Sequence, residues 1–190
     1  MQKNFQIVLG GIFLQIIVNF QQSIEEYLQL GENNNFPEFF TCPICKAHKK
    51  LEGHGFYTRN IVLLKNSHRI SIRRYYCPSC GKTVSLLPSF LLPYFQYPLF
   101  FILQELKAYF YRIKSEFKAY LQLRQFFVQR FYKNLNRMQA YFRDYGFLGA
   151  LPPPGNEKAI KLIEMINTPP GGETFSQRFH SHFNKCFMAI

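Results

Sequence analysis

Cys42-Pro43-Ile44-Cys45 and Cys77-Pro78-Ser79-Cys80 decide how this chain is read, because only one further cysteine, Cys186, occurs in its 190 residues. Two thiolates separated by two residues can turn back on one ion, and four thiolates suit the tetrahedral preference of Zn²⁺ in structural sites. Pro43 and Pro78 stiffen the two knuckles, and Gly81 allows the positive φ that lets backbone fold over a metal and aim amides at sulfur. Two disulfides would need an oxidising compartment, and a redox pair would explain one of these motifs but not both. The favoured expectation is one structural Zn²⁺ held by Cys42, Cys45, Cys77 and Cys80. Such a closed site leaves no coordination position for chemistry. His48, His54 and His68 fall between the pairs and are expected to face solvent or a partner.

Between the knuckles, Gly55 to Leu64 and Arg69 to Tyr76 are rich in β-branched and aromatic residues, with Lys65 to His68 as the turn. Ile70, Ile72 and either Arg74 or Tyr75 mark a packed face opposite a basic one. Lys82 to Ser85 is a candidate third strand. This part reads as a zinc ribbon built on a long hairpin.

Outward from the ribbon, Ile16 to Phe20 reads as a short strand, and Ser23-Ile24-Glu25-Glu26 has the spacing of a capping box before a short helix ending at Gly31. Downstream, the proline-punctuated stretch Leu86 to Pro93 reads as a hinge. A buried helix is expected from Leu99 to Tyr111, a short one from Ser115 to Leu121, and a long one from Leu123 to Tyr145 stopped by Gly146. In that long helix Phe127, Phe131, Leu135, Met138 and Phe142 form one apolar stripe. Pro152-Pro153-Pro154-Gly155 breaks the chain, a helix capped by Asn156 follows, and a last helix from Thr174 spaces Phe175, Phe179, Phe183 and Phe187 four apart. Cys186 beside that stripe reads as a buried thiol.

The expected fold class is therefore α+β: a small four-cysteine zinc ribbon followed by a helical, helix-turn-helix-like unit. Four segments are expected: 1–40, an apolar opening with a short strand and helix; 41–93, ribbon and hinge; 94–150, the helix-turn-helix-like unit; and 151–190, the C-terminal helices. A helical bundle without binding function would show the same coarse order.

Charge points to an anionic partner. The formal net charge is +12 and the sequence pI about 9.6. From Thr41 to Lys82, nine Lys or Arg face the single acid Glu52; from Phe101 to Tyr145, nine more face Glu105, Glu116 and Asp144. A solvated lysine face would explain either run alone, whereas two such runs beside a metal knuckle favour a polyanion. In the ribbon, Arg59, Arg69, Arg73, Arg74 and Lys82 are the candidate phosphate contacts. In the long helix, Arg124, Gln125, Gln129, Arg130, Lys133 and Arg137 are the candidate groove contacts, since Arg reads guanine and Gln or Asn reads adenine. Duplex DNA is the expected partner and RNA the alternative. The Phe-rich last helix is the candidate surface for a protein partner.

Several classes are disfavoured. Two-metal transposase chemistry needs several carboxylates, and the only aspartate is Asp144. His180-Ser181-His182 outwardly matches the paired histidines of HUH endonucleases, but residues two apart on a helix point in nearly opposite directions. No Gly-rich phosphate loop or serine elbow is present. The apolar run Phe5 to Phe20 is too short and too interrupted by Gln6, Gly10, Gly11 and Gln15 for a spanning helix. A non-catalytic, cytoplasmic, nucleoid-associated protein without stable membrane insertion is expected.

The two knuckles, the Gly53-His54-Gly55-Phe56-Tyr57-Thr58-Arg59 strand opening, Arg73 to Pro88 and Phe90-Leu91-Leu92-Pro93-Tyr94 together carry a resemblance. The chain resembles a bacterial family of short, mobile-element-associated proteins called domain of unknown function 6431, from about Ile16 to the C-terminus. Its ribbon is similar to the zinc-binding heads of insertion-sequence transposases, which precede a helix-turn-helix and help grip transposon ends. The resemblance implies zinc ligation by the four cysteines and a transposon-related role, alone or as an accessory subunit of a transposition complex. It assigns no base-reading residue and no catalytic acid. Residues 1–15 lie outside it and are expected to be an appended or mis-started segment.

Overall fold

The computed structural model describes residues 6–8, 14–63, 66–115, 117, 119–183 and 185–189. Two compact units divide at the junction of Tyr97 and Pro98.

The first unit is built on a five-stranded sheet, order β1-β2-β5-β4-β3, formed by β1 (Gln6–Val8), β2 (Leu14–Val18), β3 (Glu52–Leu63), β4 (Asn66–Tyr76) and β5 (Thr83–Pro88). The long hairpin expected between the knuckles is present: β3 and β4 pair antiparallel from Glu52 opposite Tyr76 to Leu63 opposite Asn66, with an irregularity between Gly53 and Phe56. The expected turn is shorter than Lys65 to His68, since β4 begins at Asn66; residues 64 and 65 lie outside the described set. β5 continues the sheet antiparallel to β4, and β2 joins β5 in parallel, Ile16 opposite Leu86 and Ile17 opposite Leu87.

That parallel pairing corrects the reading of Leu86 to Pro93 as a hinge. Leu86, Leu87, Leu91 and Leu92 are fully buried, and Ser89 N donates to Val18 O at 2.8 Å. A strand covered on both faces carries a continuous apolar run and shows no alternation. Accordingly Ile16, Val18, Tyr75, Val84 and Leu86 enter one core with Phe39, Leu51, Cys42 and Cys77. Ile17, Ile61, Ile70, Ile72 and Leu87 enter a second core with Ile24, Tyr27, Phe90 and Leu91. The sheet is the layer between them.

α1 (Ile24–Leu30) closes the second core with Ile24 and Tyr27, and its capping box is complete. Ser23 Oγ accepts from Glu26 N at 3.1 Å, and Ser23 N donates to Glu26 Oε2 at 2.7 Å. Gly31 ends it at φ 52.

The second unit is helical: α2 (Leu99–Phe110), α3 (Leu121–Lys133), α4 (Leu135–Asp144), α5 (Asn156–Asn167) and α6 (Gly172–Phe183). No helix spans Ser115 to Leu121: the described residues 115, 117, 119 and 120 are outside any helix, and 116 and 118 are outside the described set. The expected helix from Leu123 to Tyr145 is two helices, broken at Asn134. Asn134 is buried, and its amide Nδ2 donates to Arg130 O at 2.9 Å and Ala189 O at 2.7 Å. A tertiary contact to the C-terminal residues thus occupies a side chain that competes with the helix ladder. Phe127, Phe131, Leu135 and Met138 remain buried across the break. Phe175, Phe179 and Phe187 are buried as well, packed on one another and, for the first two, on Tyr141.

Among the described residues no helix is long and apolar enough to cross a membrane. The described parts of the apolar opening are β1 and β2.

Candidate metal centre

Each knuckle is a tight loop with the same backbone bonding. Cys42 N donates to Ala47 O at 3.0 Å while Lys46 N returns to Cys42 O at 2.9 Å; Cys77 N donates to Lys82 O at 2.9 Å while Gly81 N returns to Cys77 O at 2.9 Å. The first loop precedes β3 and the second joins β4 to β5, so the pairing of Glu52 with Tyr76 brings them side by side. The strands position the cysteines. The loops then aim their thiols inward.

All four Sγ atoms lie within 4.8 Å of one another. Cys42 Sγ stands 3.9 Å from Cys80 Sγ and Cys45 Sγ 3.8 Å from Cys77 Sγ. A tetrahedron with metal–sulfur bonds of about 2.3 Å has edges of about 3.8 Å, so the spacing fits a single ion. None of the five cysteines is in a disulfide. Cys42 and Cys77 are buried in the first core, whereas Cys45 is exposed and Cys80 half-buried, leaving the centre half embedded in the sheet and half at the surface.

Burial pushes the Cys42 thiol up to about 12. Burial also pushes on Cys77, but backbone N–H groups of Cys80 and Ser79 and the thiols of Cys42 and Cys80 donate to it and carry it down to about 6. The tetrad therefore shares protons around one favoured thiolate. A cation binding the four sulfurs would displace the thiol protons, whereas the backbone N–H donors would stay on the thiolates.

The histidines between the pairs stand apart from the tetrad. His48 Nδ1 is 3.3 Å from Thr41 Oγ1, the His54 ring lies 5.7 Å from Tyr76, and His68 is exposed in β4.

The basic candidates separate into two groups. Arg69 is exposed and donates to Thr58 Oγ1 at 2.9 Å; Arg73 lies 4.7 Å over the Phe56 ring; Lys82 is exposed beside the second knuckle. Arg74 donates weakly to Phe56 O at 3.4 Å. Arg59 is on the inner side of β3, where Nη2 donates to Leu92 O at 2.7 Å and to Phe95 O. In the helical unit Arg124 pairs with Glu105 at 2.9 Å, Arg130 donates to Met188 O at 3.1 Å, and Arg137 donates to Asn134 Oδ1 at 2.7 Å. Gln125, Gln129 and Lys133 are exposed at intervals of four, one stripe along α3. His180 is buried while His182 is exposed and 2.7 Å from Asp144 Oδ2, so the two rings diverge as helical spacing requires.

The class defined here is an α+β protein with a four-cysteine centre able to hold a metal ion. The family model described as Domain of unknown function (DUF6431) matches residues 42–119, beginning at the first cysteine of the tetrad. The match is narrower than the resemblance, which extended from about Ile16 to the C-terminus. No curated protein and no solved structure matches the chain.

Sequence reading missed the left-handed backbone of Tyr94, φ 70, which follows Pro93. Pro93 was a partial signal, since proline favours the second position of a turn, although it does not by itself separate a type II turn from a type I.

Proposed function

We propose that the protein is a non-catalytic, zinc-stabilised nucleic-acid-binding protein of mobile-element origin, with duplex DNA its expected partner. Zinc fits the four-sulfur tetrahedron; iron is the other ion of that preference. A closed set of four thiolates serves folding and leaves no position for substrate.

The observation that carries the reading is the outer face of the β3–β4 hairpin. Ile70 and Ile72 turn inward, and the alternate residues Arg69, Ser71 and Arg73 stand across from Asn60, Thr58 and Phe56 on the opposite face. That face is cationic and hydrogen-bonding, and the metal centre anchors the base of the hairpin. In the helical unit, the Gln125, Gln129 and Lys133 stripe is the candidate for base edges and phosphate. The break at Asn134 makes the helix order differ from the expected one, so the stripe on α3, not a long recognition helix, is the proposed reader.

The test is binding of the zinc-loaded protein to duplex DNA and to RNA as salt is raised. Affinity falls with a log–log slope of about −0.9 per neutralised phosphate on duplex DNA, and Arg69→Ala with Lys82→Ala makes the slope shallower. No binding at low salt ends the reading.

A second reading is an accessory subunit that docks on a transposition or other nucleic-acid-processing complex. Exposed Ile113, Tyr120 and Leu121 in the helical unit favour it. A stable protein partner in the absence of any DNA footprint would replace the first reading with this one.

A further inference from the structure

Tyr94 stands where its turn asks for glycine. In Leu92-Pro93-Tyr94-Phe95, Phe95 N donates to Leu92 O at 3.2 Å, and Tyr94 has φ 70. Proline at the second position and a positive φ at the third are the pattern of a type II turn, whose third position favours glycine. Tyr94 is 75 % exposed, so burial in a core is not what keeps it there. A bulky residue held in this conformation at the surface points to a function for the side chain.

The surroundings hold the backbone of the turn in place. Arg59 Nη2 donates to the carbonyls of Leu92 and Phe95, on either side of the turn's centre, and burial draws its guanidinium below the ordinary value. Val62 N donates to Gln96 O at 2.8 Å, fixing the next residue to the end of β3. The result is a ledge beside a cavity of about 320 Å³ lined by Gln15, Tyr57, Arg59, Asn60, Tyr94 and Gln96.

The lining selects a ligand. Among the described residues it offers two tyrosine rings and three side-chain amides, with no acid, histidine or cysteine for a cation. Gln15 Oε1 is buried and has no hydrogen-bond partner among the described residues, an acceptor without a donor. A flat ring with N–H and C=O groups on its edge satisfies both features. Arg69, exposed and directly across the hairpin from Asn60, supplies a cation close by for a phosphate.

We propose that this cavity takes one unstacked nucleobase, its face on Tyr94 and its edge against the amides of Gln15, Asn60 and Gln96. The inference deepens the nucleic-acid-binding reading and rests on it for the source of the base, an unpaired position in a strand. A free mononucleotide shares the chemistry. Aromatic stacking tolerates every base, whereas the amide edge contacts distinguish among them.

The test uses the zinc-loaded full chain with two duplexes, one fully paired and one with a single unpaired 2-aminopurine, and separately with nucleoside monophosphates. The unpaired duplex binds on the order of tenfold more tightly, and its 2-aminopurine fluorescence is quenched. Tyr94→Gly, which suits φ 70, abolishes the preference and the quenching while leaving paired-duplex affinity unchanged; Tyr94→Phe retains both. Equal binding of the two duplexes overturns the inference and leaves the DNA-binding reading standing. Tyr94-dependent binding of mononucleotide without any strand binding supports the pocket, assigns it the free source, and ends the strand reading. No binding of any of these probes overturns both.

Discussion

Lys46 and Gly81 occupy equivalent places in the two knuckles: each follows the first cysteine of its pair by four residues, donates its amide to that cysteine's carbonyl at 2.9 Å, and has left-handed φ, 61 and 68. One position carries the residue that suits this conformation and the other does not. Lys46→Gly is therefore expected to stabilise the zinc-loaded protein by up to about 1 kcal/mol, the relief of the Cβ clash less the added freedom of the unfolded chain. A Cβ on Gly81 would meet only Tyr76 Oη, at 3.9 Å, so the cost of Gly81→Ala comes from φ alone. That change is expected to destabilise by about 1–2 kcal/mol. Chemical denaturation of both variants at saturating zinc checks the pair; equal stabilities would contradict the shared geometry.

Metal occupancy and folding of the sheet unit are expected to fail together, since Cys42 and Cys77 are core residues as well as members of the proposed zinc tetrad. Purified protein should carry about one zinc per chain, and Cys77→Ser should lose both the metal and the cooperative unfolding of the sheet unit. Elemental analysis and denaturation of the same samples decide this. A fully folded metal-free protein would refute it.

What the sequence disclosed and what it hid follow from how local each interaction is. The knuckles, the hairpin and the Ser23–Glu26 capping box are short-range and were legible. The β2–β5 pairing was not, because Ile16-Ile17-Val18 and Leu86-Leu87 are buried on both faces and lose the period of two. Arg59 reads as a surface arginine among surface arginines until the carbonyls of Leu92 and Phe95 are brought to it. Asn134 looks like an ordinary residue within a helical stripe, and only Ala189 O, far along the chain, shows why the helix breaks there. The sulfur tetrad was legible because its chemistry survives without coordinates; the tyrosine and amide cavity was not, because it draws on residues from β2, β3 and the turn.

Arg124 is expected to behave as a structural residue. Its guanidinium Nε donates to Glu105, which is 0 % exposed and also accepts from the Ser115 hydroxyl. Removing one partner of a buried pair leaves the other charge uncompensated, at a cost of about 3–5 kcal/mol. Arg124→Ala should therefore destabilise the helical unit by that order, while Gln125→Ala should leave stability within about 0.5 kcal/mol. Thermal unfolding of the two variants separates a packing role from a surface one; an undiminished Arg124→Ala protein would show the pair to be dispensable.

His180 is expected to set the acid limit of the helical unit. Burial on α6 pulls its imidazole from the ordinary 6.5 to about 4, so the folded unit holds the ring neutral. A group whose folded value lies below its unfolded one contributes stability that is full above about pH 6.5 and declines as the unfolded chain takes up the proton. The loss accumulates from about pH 6.5 to about pH 4, reaching roughly 3 kcal/mol when complete. Denaturation midpoints measured from pH 7 to pH 5 should fall for the wild-type protein. His180→Gln, which cannot titrate, should start lower at pH 7 and fall less over the same interval. Parallel curves for the two proteins would mean that carboxylates, not this buried ring, govern the acid response.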